Sequence, residues 1–156
     1  MYGGASVGLM GAVADAALAA GGRVVGVIPR RLVDRELAHP GLSELHVTES
    51  MHERKALMAE LSDAFTALPG GFGTLEELSE MTTWAQLGLH HKPIGLLNVG
   101  GFYNLLLEFA GRMVAEGFLP ATHRRLLITA ATAPDLLAGL RAYQPLTTEK
   151  WQPPAA

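Results

Sequence analysis

Four short runs of aliphatic and β-branched residues, at 23–28, 64–68, 93–97 and 126–129, are each followed by a segment in which apolar residues recur at helical spacing. No other feature constrains the fold as tightly, because strands that alternate with helices pair in parallel within one covered sheet. Helices are expected at 7–20, 51–61, 75–89, 102–116 and 133–142. Gly21 and Gly22 stop the first, Ser50 with Glu53 has the spacing of a capping box for the second, and Thr74 with Glu77 has that spacing for the third. Tyr2 and the glycines behind it read as a strand running out into a helix with almost no strand ahead of them, so the first βα unit is expected to be missing. Residues 1–144 are read as one domain, and 145–156, with Pro153 and Pro154, as a disordered tail.

Two glycine-rich loops fall where a parallel sheet holds its ligands, at the carboxyl ends of strands and the amino ends of helices. One is Gly3-Gly4-Ala5-Ser6-Val7-Gly8-Leu9-Met10-Gly11, the other Pro69-Gly70-Gly71-Phe72-Gly73-Thr74-Leu75-Glu76-Glu77. Glycine lets backbone N–H groups close on an anion, and the positive end of a helix dipole favours a phosphate there. Neither loop has the spacing of the dinucleotide fingerprint or of the nucleoside-triphosphate loop, which argues against a dehydrogenase or an ATPase. Tight turns explain either loop taken alone; two loops at equivalent positions make that explanation less comfortable.

Composition narrows the ligand. The 156 residues are 49% hydrophobic, enough for one real core, and carry a net charge of −3, so no global field steers nucleic acid or phosphates. An anion must therefore be held by local arginine, lysine and backbone amides. The absence of cysteine removes disulfides and thiolate chemistry and agrees with a reducing compartment. With no uninterrupted apolar run of about 18 residues and no basic-then-apolar leader, the chain reads as soluble and cytoplasmic. His39, His46, His52, His90, His91 and His123 include no pair at metal-ligand helical spacing, so no metal is expected.

Among charged residues, Arg54 and Lys55 lie early in the second helix, where positive charge opposes the macrodipole at a cost of about 0.3 to 1 kcal/mol each. A bound phosphate or a nearby carboxylate would offset it; a solvated pair on a surface helix is the ordinary alternative. Glu77 has a bland role open to it in the capping box, and Glu76 and Glu80 suit a helix amino-terminal half. Beside a phosphate loop, however, a carboxylate costs energy unless it stabilises positive charge, as on ribose during cleavage of an N-glycosidic bond. Asp15 and Asp63 have solvated explanations, and the stripe of Met81, Trp84, Leu87 and Leu89 reads as core or subunit interface.

Glu53-Arg54-Lys55 followed by Pro69 through Glu77 resembles the paired signature of the Lonely Guy (LOG) family, cytokinin riboside 5'-monophosphate phosphoribohydrolases. Gly8-Leu9-Met10-Gly11, the run from Gly26 to Pro29, Glu36-Leu37, Met51, Trp84 through Gly88, Lys92-Pro93 through Asn98 and Gly101-Phe102-Tyr103 are similar to that family as well. The resemblance covers about residues 1 to 120. It implies an α/β fold with a Rossmann-like parallel sheet flanked by helices, a homodimer with composite sites, and no metal or organic cofactor. It also implies that Arg54 and Glu77 are the catalytic pair, and that Gly71, Gly73 and Thr74 hold the 5'-phosphate. Glu36, Lys55, Glu76 and Thr83 would line the substrate pocket, and Gly4, Ser6, Gly8 and Met10 would face the nucleotide from the first loop. Ala5 departs from a glycine common in the family, and the missing first unit would cost the sheet a strand and the pocket a wall.

The activity so implied is hydrolysis of the N-glycosidic bond of adenosine 5'-monophosphates, N6-modified or plain, to free base and ribose 5-phosphate. A non-catalytic carrier of nucleotides or molybdenum cofactor is the alternative, and the pairing of Arg54 with Glu77 disfavours it, since binding alone gives no reason for a carboxylate at the ribose. Lysine decarboxylation normally needs pyridoxal phosphate on a lysine, and with only Lys55, Lys92 and Lys150 to choose from it is rejected.

Overall fold

Parallel pairing follows from the helical crossovers, and the computed structural model, which describes residues 1–35 and 37–146, contains it in both of two compact units, 1–62 and from Asp63 onward. In the first unit, β1 (Val25–Pro29) pairs in parallel with β2 (Glu44–Thr48), Val25 opposite Glu44. On the other edge of β1, Tyr2 forms a parallel bridge with Gly26, donating to the Val25 carbonyl at 2.9 Å and accepting from the Val27 N–H at 3.0 Å. Tyr2 makes this isolated bridge outside any named strand, at the position where the sequence reads the exit of a strand. Flanked on both edges, β1 is buried at all five positions, which is what a Val-Gly-Val-Ile run requires.

Helix α1 (Gly8–Ala19) ends as expected. Gly21 takes φ 76°, and the N–H groups of Gly21 and Gly22 donate to Leu18 and Ala17, a glycine-terminated Schellman closure. After β1 comes the single turn α2 (Arg30–Val33), and after β2 comes α3 (Met51–Leu61). Ser50 caps α3 by accepting from the Glu53 N–H at 3.1 Å, while the Glu53 carboxylate reaches the N–H of Glu49, one residue earlier than the usual box.

In the second unit β3 (Phe65–Ala67), β4 (Ile94–Leu97) and β5 (Leu127–Ala130) form a parallel sheet in that order. β4 is central and its Ile94, Gly95 and Leu96 are buried, with Leu136 and Leu140 of α7 (Ala133–Arg141) over Gly95. The remaining helices are α4 (Phe72–Gln86), α5 (Asn104–Ala115) and the short α6 (Ala121–Arg124). All four sequence-read strands are present within two residues. The strand missed is β2, whose polar, half-exposed Glu-Leu-His-Val-Thr lacks the aliphatic run of the others.

One expected start is corrected. α4 begins at Phe72, three residues before the reading of 75–89, with Gly71 as its N-cap and no side-chain cap bond. Thr74 therefore lies inside the first turn and Glu77 in the second, so they form no capping box. The physical reason is that the extended Gly71 carbonyl already accepts the Leu75 N–H, at 3.1 Å, closing the first turn earlier. Residues 147–156, most of the expected tail, lie outside the described residues.

Candidate active site

In the first unit the glycine loop is held along one side by residues 37–39. Ser6 donates its N–H to the Leu37 carbonyl at 2.9 Å, Ala5 bridges Ala38 in antiparallel fashion, and the His39 N–H donates to Gly4 at 2.9 Å. Tyr2 adds its hydroxyl to the Ala5 carbonyl at 3.1 Å; burial, with the negative charge of Asp15 nearby, pushes that phenol above its ordinary pKa and keeps it a donor. The ring of His39 is itself fixed, 3.0 Å from Asp15 through Nε2 and accepting the Gly41 N–H at Nδ1. Asp15 thus has a partner, although its carboxylate is mostly exposed. Ala5 is buried, so its methyl is packed.

Arg54 and Lys55 are only 7% exposed, which rules out the alternative of a solvated surface pair. Arg54 Nε donates to the carbonyl of Val27 at 3.0 Å, in β1. A Cβ built on Gly3 would collide with the Arg54 guanidinium and lie 3.2 Å from the Met10 sulfur. Gly3, Met10 and Arg54 therefore converge, and any side chain at 3 would displace the guanidinium. Gly4 takes φ 75°, and a Cβ there would lie 3.1 Å from that of Ile28, while Gly8, at φ 59°, and Ser6 are exposed. Glu36 lies outside the described residues.

In the second unit the glycines sort by what surrounds them. A Cβ on Gly70 would run into Thr74, whose side chain folds back over it, but a Cβ on Gly71 or Gly73 would meet nothing within 4 Å. Gly71 has φ −93°, open to any residue, and Gly73 is not among the positive-φ glycines. Packing and backbone angle give no reason for glycine at either position. With no side-chain cap at Gly71, the first-turn N–H groups of Phe72, Gly73 and Thr74 have no acceptor within the helix.

Helical spacing then places the rest. Thr74, Glu77, Leu78 and Met81 share one face, of which Leu78 and Met81 are buried and Glu77 is half-buried; Phe72, Glu76 and Thr83 lie on another, exposed face. α4 thus presents Glu77 and the Glu76–Thr83 pair on different sides. Leu87 and Leu89 are exposed and only Met81 of the apolar stripe belongs to the core.

A sequence profile described as "Possible lysine decarboxylase" matches residues 10–140. The rice (Oryza sativa subsp. japonica) protein named probable cytokinin riboside 5'-monophosphate phosphoribohydrolase LOGL9 is 53% identical over 146 residues, 94% of this chain and 64% of that protein. Rice LOGL5, with the same descriptive name, is 56% identical over 145 residues, 93% of this chain and 59% of its own length. Arabidopsis thaliana LOG3, named cytokinin riboside 5'-monophosphate phosphoribohydrolase, is 52% identical over 145 residues, 93% of this chain and 67% of its own. The chain belongs to the Lonely Guy family. It spans about three fifths of the length of the two rice relatives.

Set on the structure, the LOG signature occupies two places, Glu53-Arg54-Lys55 in the first turns of α3 and Pro69 through Glu77 from the exit of β3 to the second turn of α4. Sequence reasoning did not single out Tyr103, whose hydroxyl donates to the carbonyl of Leu68 beside the second segment, or His39, whose N–H holds Gly4 of the first glycine loop. For Tyr103 the signal in the sequence was the Gly101-Phe102-Tyr103 likeness to the LOG family.

Proposed function

We propose that this chain hydrolyses the N-glycosidic bond of adenosine 5'-monophosphates, plain or N6-modified, releasing free base and ribose 5-phosphate. The observation that carries the reading is the start of α4, with no side-chain cap: glycines at 71 and 73 that packing does not need, with a carboxylate, Glu77, one turn on. The relatives' names support the substrate class.

In this scheme the 5'-phosphate is held by the N–H groups of Phe72, Gly73 and Thr74 and by the helix dipole. Water adds to C1′ as the bond to the base nitrogen breaks, and the base leaves with the bonding pair and takes up a proton. Glu77 stabilises the positive charge that develops on ribose, and Arg54, held on β1, orients substrate or carboxylate. Gly4, Ser6, Gly8, Met10, Glu36, Lys55, Glu76 and Thr83 are assigned to substrate contacts by the resemblance. The working form is a homodimer in the cytoplasm; exposed Leu105, Phe109 and Phe118 supply apolar surface for association, and the cysteine-free sequence suits a reducing compartment.

The test is to incubate the purified chain with N6-isopentenyladenosine monophosphate, AMP and the unphosphorylated riboside and to follow free base by chromatography. Release is expected from the monophosphates alone, with kcat falling roughly 10²- to 10³-fold in Glu77→Gln. Base release from the riboside at the same rate would overturn the phosphate assignment, and full activity in Glu77→Gln would overturn the role of the carboxylate. A folded protein that binds AMP and releases nothing would be a carrier.

A further inference from the structure

The phosphate loop is entered through Leu68, the residue after β3 and before Pro69. A proline holds the residue ahead of it to extended angles, which fixes the direction of chain entry. The Leu68 carbonyl lies beyond the last ladder pair, Ala67 with Leu96, so the sheet supplies it no donor. Its donor comes from the next loop: the hydroxyl of Tyr103 lies 2.5 Å away.

The loop between β4 and α5 is folded to deliver that hydroxyl. Asn98 is anchored to the sheet by donating its N–H to Ala130 at 2.8 Å, and its Oδ1 accepts the Tyr103 N–H at 2.7 Å. Its Nδ2 donates to Asn104 Oδ1 at 2.9 Å, and Gly100 and Gly101 between them take φ 59° and 75°. Tyr103 is 2% exposed, with Phe102 edge-on to its ring at 5.0 Å. Burial raises the phenol above its ordinary pKa, so it remains a neutral donor. An aromatic ring wanted for packing alone could be phenylalanine; among the described residues the hydroxyl is used on Leu68.

We propose that Tyr103 is a positioning residue for phosphate recognition, a strut from the β4–α5 loop that sets where the N–H groups at the start of α4 point. This rests on the reading of that helix start as the phosphate site. Tyr103 touches no substrate and acts through Leu68 and the backbone that follows it. Losing the hydroxyl leaves the core filled and lets the loop entry shift.

Tyr103→Phe is compared with Leu140→Val, a core change beneath α7 that serves as a stability control, by following AMP hydrolysis and by calorimetric binding of ribose 5-phosphate and of ribose. Tyr103→Phe should raise KM for AMP and Kd for ribose 5-phosphate about tenfold with kcat changed less than threefold, while Leu140→Val leaves both constants alone at temperatures where it is folded. Asn98→Ala should reproduce the KM effect, and Asn98→Asp, which keeps the acceptor for the Tyr103 N–H, should recover much of it. Unchanged KM and Kd in folded Tyr103→Phe and Asn98→Ala would overturn the strut. Wild-type protein that binds ribose as tightly as ribose 5-phosphate would instead overturn the phosphate site itself, and the strut with it.

Discussion

Replacing Gly73 by alanine should make the protein more stable and a worse enzyme. The added methyl meets no atom within 4 Å and the backbone there is not left-handed, so nothing opposes it in the folded state. Gly73 lies in the first turn of α4, where exchanging glycine for alanine gains roughly 0.5 to 1 kcal/mol through lower unfolded-state entropy and better helix propensity. For a chain of this size that is an upward shift in Tm of about 1 to 4 °C. The same methyl occupies the approach of a phosphate to the N–H groups of residues 72 to 74. One charge-assisted hydrogen bond lost costs roughly 1.5 to 3 kcal/mol, or about a 10- to 150-fold rise in Kd for ribose 5-phosphate. Gly70→Ala is the matched contrast. There the methyl strikes Thr74, and stability should fall by about 1 to 3 kcal/mol. Thermal melts by circular dichroism and calorimetric titration with ribose 5-phosphate measure both quantities on the same samples. A Gly73→Ala protein that melts higher and binds as well as wild type would refute the argument that ligand access is what keeps glycine there. One that melts lower would refute the packing geometry.

Gly3→Ala places a methyl against the Arg54 guanidinium; it should lower Tm by an amount corresponding to about 1 to 3 kcal/mol and depress kcat for AMP hydrolysis, and wild-type kcat in this variant would separate Arg54 from the chemistry. His90 is held neutral, with Nε2 2.9 Å from the Met81 carbonyl and Nδ1 accepting the Lys92 N–H at 3.1 Å. Desolvation, chiefly, lowers its pKa below the ordinary 6.5, so the unfolded chain binds the proton first. The stability His90 contributes is therefore complete above about pH 6.5 and is lost as pH falls below that value through the folded pKa. Urea melts between pH 5 and 8 should show wild type losing more stability on acidification than His90→Gln; parallel losses would remove His90 as the cause.

Much of the sheet was legible because its strands announce themselves by composition. The Val-Val-Gly-Val-Ile-Pro and Pro-Ile-Gly-Leu-Leu runs are buried on both faces, and burial on both faces is what removes polar alternation. β2 is half-exposed and polar, and it becomes a strand only because β1 has an edge to fill, a tertiary cause that no local pattern carries. The burial of Arg54 and Lys55 was illegible for a similar reason. Their helix is not amphipathic by sequence, and the carbonyl that holds Arg54 belongs to Val27, half the unit away along the chain.

The Thr74–Glu77 pair shows where a short motif misleads and why the error bears on mechanism. Ser-x-x-Glu at Ser50 and Thr-x-x-Glu at Thr74 are the same signal, and only the first caps a helix. The difference lies upstream. At Ser50 the chain arrives extended from β2 with a hydroxyl ready to accept, whereas at the second loop Gly71 has already closed the turn through its carbonyl before Thr74 is reached. The Thr74 side chain lies over Gly70, and Glu77 falls in the second turn of α4, outside the position a capping box uses. A carboxylate placed one turn from a bound phosphate raises the cost of binding that phosphate, so its retention demands a return elsewhere. Stabilising an oxocarbenium-like ribose supplies one that simple nucleotide carriage does not. It follows that Glu77→Gln should bind ribose 5-phosphate at least as tightly as wild type while losing hydrolysis. A Glu77→Gln protein that loses binding and hydrolysis together would mean that the carboxylate serves the architecture of α4 rather than the reaction.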